Sequence, residues 1–191
     1  MGAQDVSGAK RKCREARGII LFEDEAAFRQ DPTTYHSWYR RGSRCWVPTY
    51  GRRNTQHIYG AVSVPDGQFC YHFAETCNAS THQDFLAMLI RKFHRRRIFL
   101  VEDNAKYHKN PAMCSWFEAH QSEIEPWFLP PYSPEFNPME PVWGYTRRQG
   151  THNRFFPSVA ELIGSIKIVF HHIQHHPDDI LSYVRLAASL S

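Results

Sequence analysis

The chain has 191 residues, 42% apolar and 14% aromatic, enough to bury one sizeable core. No apolar run approaches the ~20 residues that cross a bilayer as a helix, and the start lacks the apolar stretch of a signal peptide, so neither a membrane-spanning helix nor export is expected. The net charge of +4 is clustered at Arg40 and Arg41, Arg52 and Arg53, residues 91–97, and Arg147 and Arg148; such clusters favour an anionic partner, nucleic acid first, although each run alone is equally a solvated helix end.

In chain order, residues 1–17 are polar and basic without apolar periodicity, and are expected as a poorly ordered leader or linker to a domain at 18–191. The run "GIILFEDEAAF" from Gly18 predicts a buried strand ending in Glu23, Asp24 and Glu25. Residues 57–64 and 68–75, joined by Pro65-Asp66-Gly67, predict a hairpin. Thr81 and Asp84 are candidate caps for a helix with Phe85, Leu86, Leu89, Ile90 and Phe93 on one face. "RIFLVEDN" predicts a second buried strand, ending in Glu102 and Asp103. A proline-started helix over 111–121 and a short strand over 124–130 follow. Another helix is expected from about Pro138, one from Ser158 with Glu161 completing a capping box, and a last one from Asp178 through Leu186. The order describes an α/β domain with a mixed sheet. Five cysteines, at 13, 45, 70, 77 and 114, have no Cys-x-x-Cys spacing and are expected as reduced thiols of an intracellular protein.

Acids at the ends of two apolar strands matter because parallel neighbours set their carboxyl ends side by side, where open α/β sheets keep their sites. Asp24 and Asp103 would then face each other across a gap suited to magnesium, a hard ion that takes carboxylates, waters and phosphate oxygens. Strand alternation lets only one of each adjacent pair face the gap, so Glu23, Glu25 and Glu102 are alternatives. Glu140 is a third candidate, but Asn137-Pro138-Met139-Glu140 is itself a good capping box, and the local pattern favours that reading. Three carboxylates suit a pair of Mg²⁺ or Mn²⁺ ions better than zinc. In "HHIQHH", His171 with His175 and His172 with His176 have the i, i+4 spacing of a zinc chelate, but a solvated helix end is the better reading.

Taken together, "LFEDEAAF", "FLVEDNAKYHKN" and "LPPYSPEFNPMEPVW", in that order, resemble the catalytic core of the DDE transposases, in particular the bacterial insertion-sequence branch of the mariner superfamily. "WYRRGSRCWVP" and "YGAVSVPDGQFCY" resemble the insert after the first strand and the second hairpin of that family. The resemblance covers roughly residues 16–175. It implies an RNase H-like mixed five-stranded sheet flanked by helices, and a catalytic, metal-binding trio at Asp24, Asp103 and Glu140. Glu25 then becomes a companion residue, and 36 residues separate Asp103 from Glu140, within the short spacing of the branch. Pro141 departs from the family pattern and is expected to tighten or shift the helix start.

The implied activity is Mg²⁺- or Mn²⁺-dependent cleavage of phosphodiester bonds at element ends, followed by joining of the 3′-hydroxyl ends to target DNA, with two ions. Lys106, His108, Lys109, Arg147 and Arg148 flank the trio and are candidate DNA contacts. The resemblance further implies TA-containing targets, a homodimer on DNA, and a cytoplasmic location, at the nucleoid when bound to DNA. The helix-turn-helix region that recognises element ends is expected to be absent here, supplied by an upstream reading-frame product. Two other classes stay open: an RNase H-like nuclease on another nucleic acid, and an inactive remnant that binds DNA or a partner.

Overall fold

A computed structural model describes residues 6–43, 46–49, 51, 54–103, 110–130 and 136–190. Five strands, β1 (Ile19–Arg29), β2 (Thr55–Ser63), β3 (Phe69–Ala74), β4 (Ile98–Glu102) and β5 (Ile124–Phe128), form one sheet in the order β3-β2-β1-β4-β5. β1, β4 and β5 run parallel, while β1–β2 and β2–β3 are antiparallel. The helices are α1 (Val6–Glu15), α2 (Ala79–Lys92), α3 (Pro111–Ala119), α4 (Met139–Thr146), α5 (Val159–His175) and α6 (Asp178–Leu190). The mixed five-stranded sheet flanked by helices is therefore present.

Because side chains alternate along a strand, each face of the sheet builds its own core. Phe22, Ala26 and Phe28 of β1, with Phe99 and Val101 of β4, pack among residues of α4, α5 and α6. Ile19 and Leu21 of β1, with Ile98 and Leu100 of β4, pack on the other side against Phe85, Leu86 and Leu89 of α2 and Met113 and Phe117 of α3. The parity fixed by these apolar residues decides where every neighbouring acid points.

Several boundaries differ from expectation for local reasons. The segment 1–17, expected without structure, contains α1: Ala9 is fully buried, Gly8 fits under the Trp127 ring, and Lys12 reaches Glu125 of β5 at 2.8 Å. One small-residue face is enough to seat a helix that is otherwise strongly polar. α2 begins earlier than the Thr81–Asp84 reading. Asn78 is its N-cap, accepting from the amides of Ser80 and Thr81, while its own backbone N–H donates to Thr81 Oγ1 at 3.1 Å. Ser158 does cap α5, accepting from the Glu161 amide at 3.2 Å. β1 does not end at its acids. Its pairing with β4 stops at Phe22–Val101, but its pairing with β2 continues to Arg29–Thr55. A fork therefore opens between β1 and β4 beside the acids.

After α4 the chain makes a π-helical turn, Arg147–Thr151. Its exit pins the start of the long insert that follows β1. Asn153 exchanges hydrogen bonds with the backbone of Tyr35, and His152 stacks on the Tyr35 ring with centroids 4.8 Å apart. Farther along the insert Trp38 is 100% exposed and Trp46 81%.

Candidate active site

Two residues past the last β1–β4 pair, Phe22–Val101, β1 carries Asp24 and the exit from β4 carries Asp103. Both share the parity of Phe22 and Val101, so they belong to the face covered by α4. Asp103 is solvent-exposed at the end of its strand, whereas Asp24 is half-buried in mid-strand. Glu140 lies in the first turn of α4, exposed, and near enough for its charge to act on Asp24. Burial first, then repulsion from Glu25 and Glu140, raise the Asp24 carboxyl to about 7. A group of carboxylates under mutual repulsion fits a hard divalent cation.

The capping reading of Glu140 is not the arrangement found. α4 starts at Met139, its N-cap is Pro138 without a side-chain cap, and the Glu140 contribution is its backbone N–H, which donates to the Asn137 carbonyl at 3.1 Å. Asn137 is itself buried and ties α4 to β1. Its Oδ1 accepts from the Met139 amide at 3.1 Å, and its Nδ2 donates to the Glu23 carbonyl at 3.3 Å. Thus the Asn-Pro entry docks the helix onto the strand that carries Asp24.

Two residues that sequence reasoning passed over complete the setting. Trp143, one helical turn beyond Glu140, is buried, and its indole N–H donates to Asp24 Oδ2 at 3.1 Å. This bond favours the ionised carboxylate and opposes the effect of burial. The indole needs room, which Gly60 supplies: it pairs with Asp24 across β1 and β2, and a Cβ there would lie 2.5 Å from Trp143 and 2.6 Å from Met139. The available signals were the i, i+3 spacing of Glu140 and Trp143 and a glycine inside a strand. Gly60→Ala is expected to destabilise the fold by ~1–3 kcal/mol through overpacking, read as a lower midpoint of denaturant unfolding.

Of the candidate DNA contacts, Lys106, His108 and Lys109 lie outside the described residues. Arg148 is exposed, and Arg147 rests over the Phe28 ring at 5.3 Å. The basic run 91–97 stands where β4 begins, the opposite end of that strand from Asp103. Part of it is structural, since Arg97 pairs with Glu125 at 3.0 Å. In the histidine cluster, His172 is 2.6 Å from Asp179 Oδ2, linking α5 to α6.

The raised Asp24 carboxyl has a consequence for stability. A folded value above the ordinary 3.8 means that protonation favours the fold, so the contribution is full below about 3.8 and is lost progressively as pH rises to about 7. Glu23, also raised by burial and neighbouring acids, acts in the same direction. In chelator, the melting temperature of the chain is expected to fall between about pH 4 and pH 7, with a smaller fall in Asp24→Asn. A flat or rising profile would contradict the electrostatic account.

The family description "DDE superfamily endonuclease" matches residues 19–163. The chain is 26% identical over 152 residues to the Tc3 transposase of Caenorhabditis elegans, covering 75% of this chain and 46% of that protein. It is 24% identical over 149 residues to a 39 kDa protein of insertion element IS630 from Shigella sonnei, covering 78% of this chain and 43% of that one. The chain thus spans about half the length of these relatives. Among solved structures, the Mos1 mariner paired-end complex with Mn superposes with a TM-score of 0.62 at 16% identity, over 96% of this chain and 59% of that chain. The fold is RNase H-like, and with the match running from β1 into α5, the chain belongs to the DDE superfamily endonucleases.

Proposed function

We propose that the chain is the catalytic part of an insertion-sequence transposase, and that Asp24, Asp103 and Glu140 carry its chemistry. The observation that supports this most is the placement of the acids: two aspartates, each two residues beyond the last β1–β4 pair, and a glutamate on the docked helix whose charge raises Asp24. The trio would hold Mg²⁺ or Mn²⁺, in keeping with the Mn named for the Mos1 complex; a pair of ions, when bound, would activate the attacking oxygen and offset charge on the leaving one.

The reaction needs little else from the protein. A water oxygen attacks phosphorus at the element end, the bond to the 3′ oxygen breaks, and that oxygen leaves as a 3′-hydroxyl. This hydroxyl then attacks a phosphodiester of target DNA, forming one bond to phosphorus and releasing a target 3′-hydroxyl in its place. Asp24 is kept ionisable by the Trp143 N–H. Lys106, His108, Lys109, Arg147 and Arg148 are assigned to phosphate contacts, with affinity that falls with salt.

The partners proposed with this activity are element ends and TA-containing target DNA, a second copy on that DNA, and an upstream reading-frame product that recognises the ends. Trp38 and Trp46 give the insert an aromatic surface suited to such a second copy. Among the described residues no helix is long and apolar enough to cross a membrane, and a cytoplasmic, nucleoid-bound location is proposed.

The test is joining of an oligonucleotide with a free 3′-hydroxyl to supercoiled plasmid, with Mn²⁺, Mg²⁺ or chelator. Ion-dependent nicking and joined product are expected. Cleavage confined to RNA–DNA hybrid would select the other nuclease class, and DNA binding without cleavage under any ion would select the inactive remnant.

A further inference from the structure

The acids adjacent to the aspartates, Glu23 and Glu102, have opposite parity and enter the other core. There they meet His82, on the buried face of α2 with Phe85, Leu86 and Leu89. All three side chains have no solvent exposure. His82 Nε2 is 3.6 Å from Glu102 Oε2 and 3.8 Å from Glu23 Oε2, and one donor atom from each residue lies within 4.8 Å of the others. Neither oxygen of Glu23 accepts a hydrogen bond among the described residues. The Tyr59 ring stacks on His82 with centroids 5.5 Å apart and closes the site on one side.

These separations are too long for direct hydrogen bonds, which need ~2.7–3.2 Å. The two imidazole–carboxylate distances do match donors that share one ion: ligand atoms ~2.0–2.2 Å from a metal, ~110–120° apart, lie ~3.3–3.8 Å from each other. Charge agrees, since the fully buried Glu23 carboxylate, whose oxygens accept no hydrogen bond among the described residues, calls for positive charge close by. The donor set also discriminates. An imidazole with two carboxylates in a dry core suits zinc, which accepts mixed nitrogen and oxygen ligands and few waters, and is poor for magnesium, which keeps its waters.

We propose that Glu23, His82 and Glu102 form a structural site for zinc, separate from the Asp24–Asp103–Glu140 cleft and on the other face of the sheet. The ion ties β1, β4 and α2 together directly behind the two aspartates. It thereby sets the spacing of the strands at the fork. This inference does not depend on the transposase reading.

The test uses the whole chain. Protein exposed to Zn²⁺ is dialysed against excess Mg²⁺ without chelator and its metal measured by plasma mass spectrometry. About one zinc per chain is expected to remain, with an X-ray absorption spectrum showing imidazole and oxygen ligands. The doubly substituted Asp24→Asn, Asp103→Asn protein should keep this zinc, and its melting temperature should fall when a strong chelator removes it. His82→Asn and Glu102→Gln should lose the zinc, whether they fold or not. Zinc below about a tenth per chain in folded wild-type protein, an all-oxygen spectrum, or loss of zinc in the double aspartate variant would each overturn the assignment. A zinc-free result combined with ion-dependent strand joining would reject this site and leave the proposed activity standing.

Discussion

Asp24→Asn, Asp103→Asn and Glu140→Gln are each expected to lower Mn²⁺-dependent nicking and strand joining by about 10²- to 10³-fold. The amides preserve shape and volume, so the loss would be of charge alone. The discriminating measurement is stability. Asp24 is held in a partly buried place under repulsion from Glu25 and Glu140, so removing its charge relieves a cost. At pH 8 in chelator, Asp24→Asn should therefore melt at a higher temperature than the native chain while being inactive. Adding Mn²⁺ should raise the melting temperature of the native chain and much less that of the variant, because a bound ion offsets the repulsion among the carboxylates and the variant has lost one of them. A variant that keeps its activity removes that residue from the trio. A variant that loses activity together with stability points to a packing role.

The second large effect concerns Trp143. Trp143→Ala removes a buried indole bordered by Phe28, Phe69 and Phe170, with ring centroids 6.1, 6.5 and 6.3 Å away. A loss of ~3–5 kcal/mol is expected from transfer and cavity costs together. Trp143→Phe keeps most of the volume and deletes only the donor, worth ~1.5–3 kcal/mol when the acceptor is charged. Because that N–H favours ionised Asp24, its removal should push the carboxyl further up and move the acidic limb of the rate profile to higher pH. A stability loss in Trp143→Phe with an unmoved limb would show that the indole packs but does not tune the acid.

How much of this could be read beforehand follows the range of each interaction. Strands β1 and β4 were legible because their apolar runs are local, and so was the order of acids along them. Which acid faces which way was not, since parity is set by contacts with helices distant in sequence. The capping box at Asn137–Glu140 illustrates the limit. The pattern is local and correct in form, but the Asn137 side chain is committed to the Met139 amide and the Glu23 carbonyl, α4 has no side-chain cap, and Glu140 stands exposed. α1 was missed because charges outnumber apolar residues, although Ala9 and Cys13 share one face. His82 had a signal, since 82, 85, 86 and 89 have helical spacing. What it did not carry was the identity of its neighbours, which come from two other strands.

Gly60 also acts on the correctness of the sheet itself. β2 meets β1 over nine consecutive pairs, and it is Gly60 that stands opposite Asp24, beneath the indole of α4. Shift β2 by one residue and Tyr59 or Ala61 occupies that place; shift it by two and Ile58 or Val62 does. Each brings a side chain into space the indole needs. A mispaired sheet is thus a poor seat for α4, and with α4 displaced Glu140 does not arrive beside Asp24. The glycine works as a proofreading mark, letting Glu140 come up beside Asp24 only when the hairpin has found its native alignment.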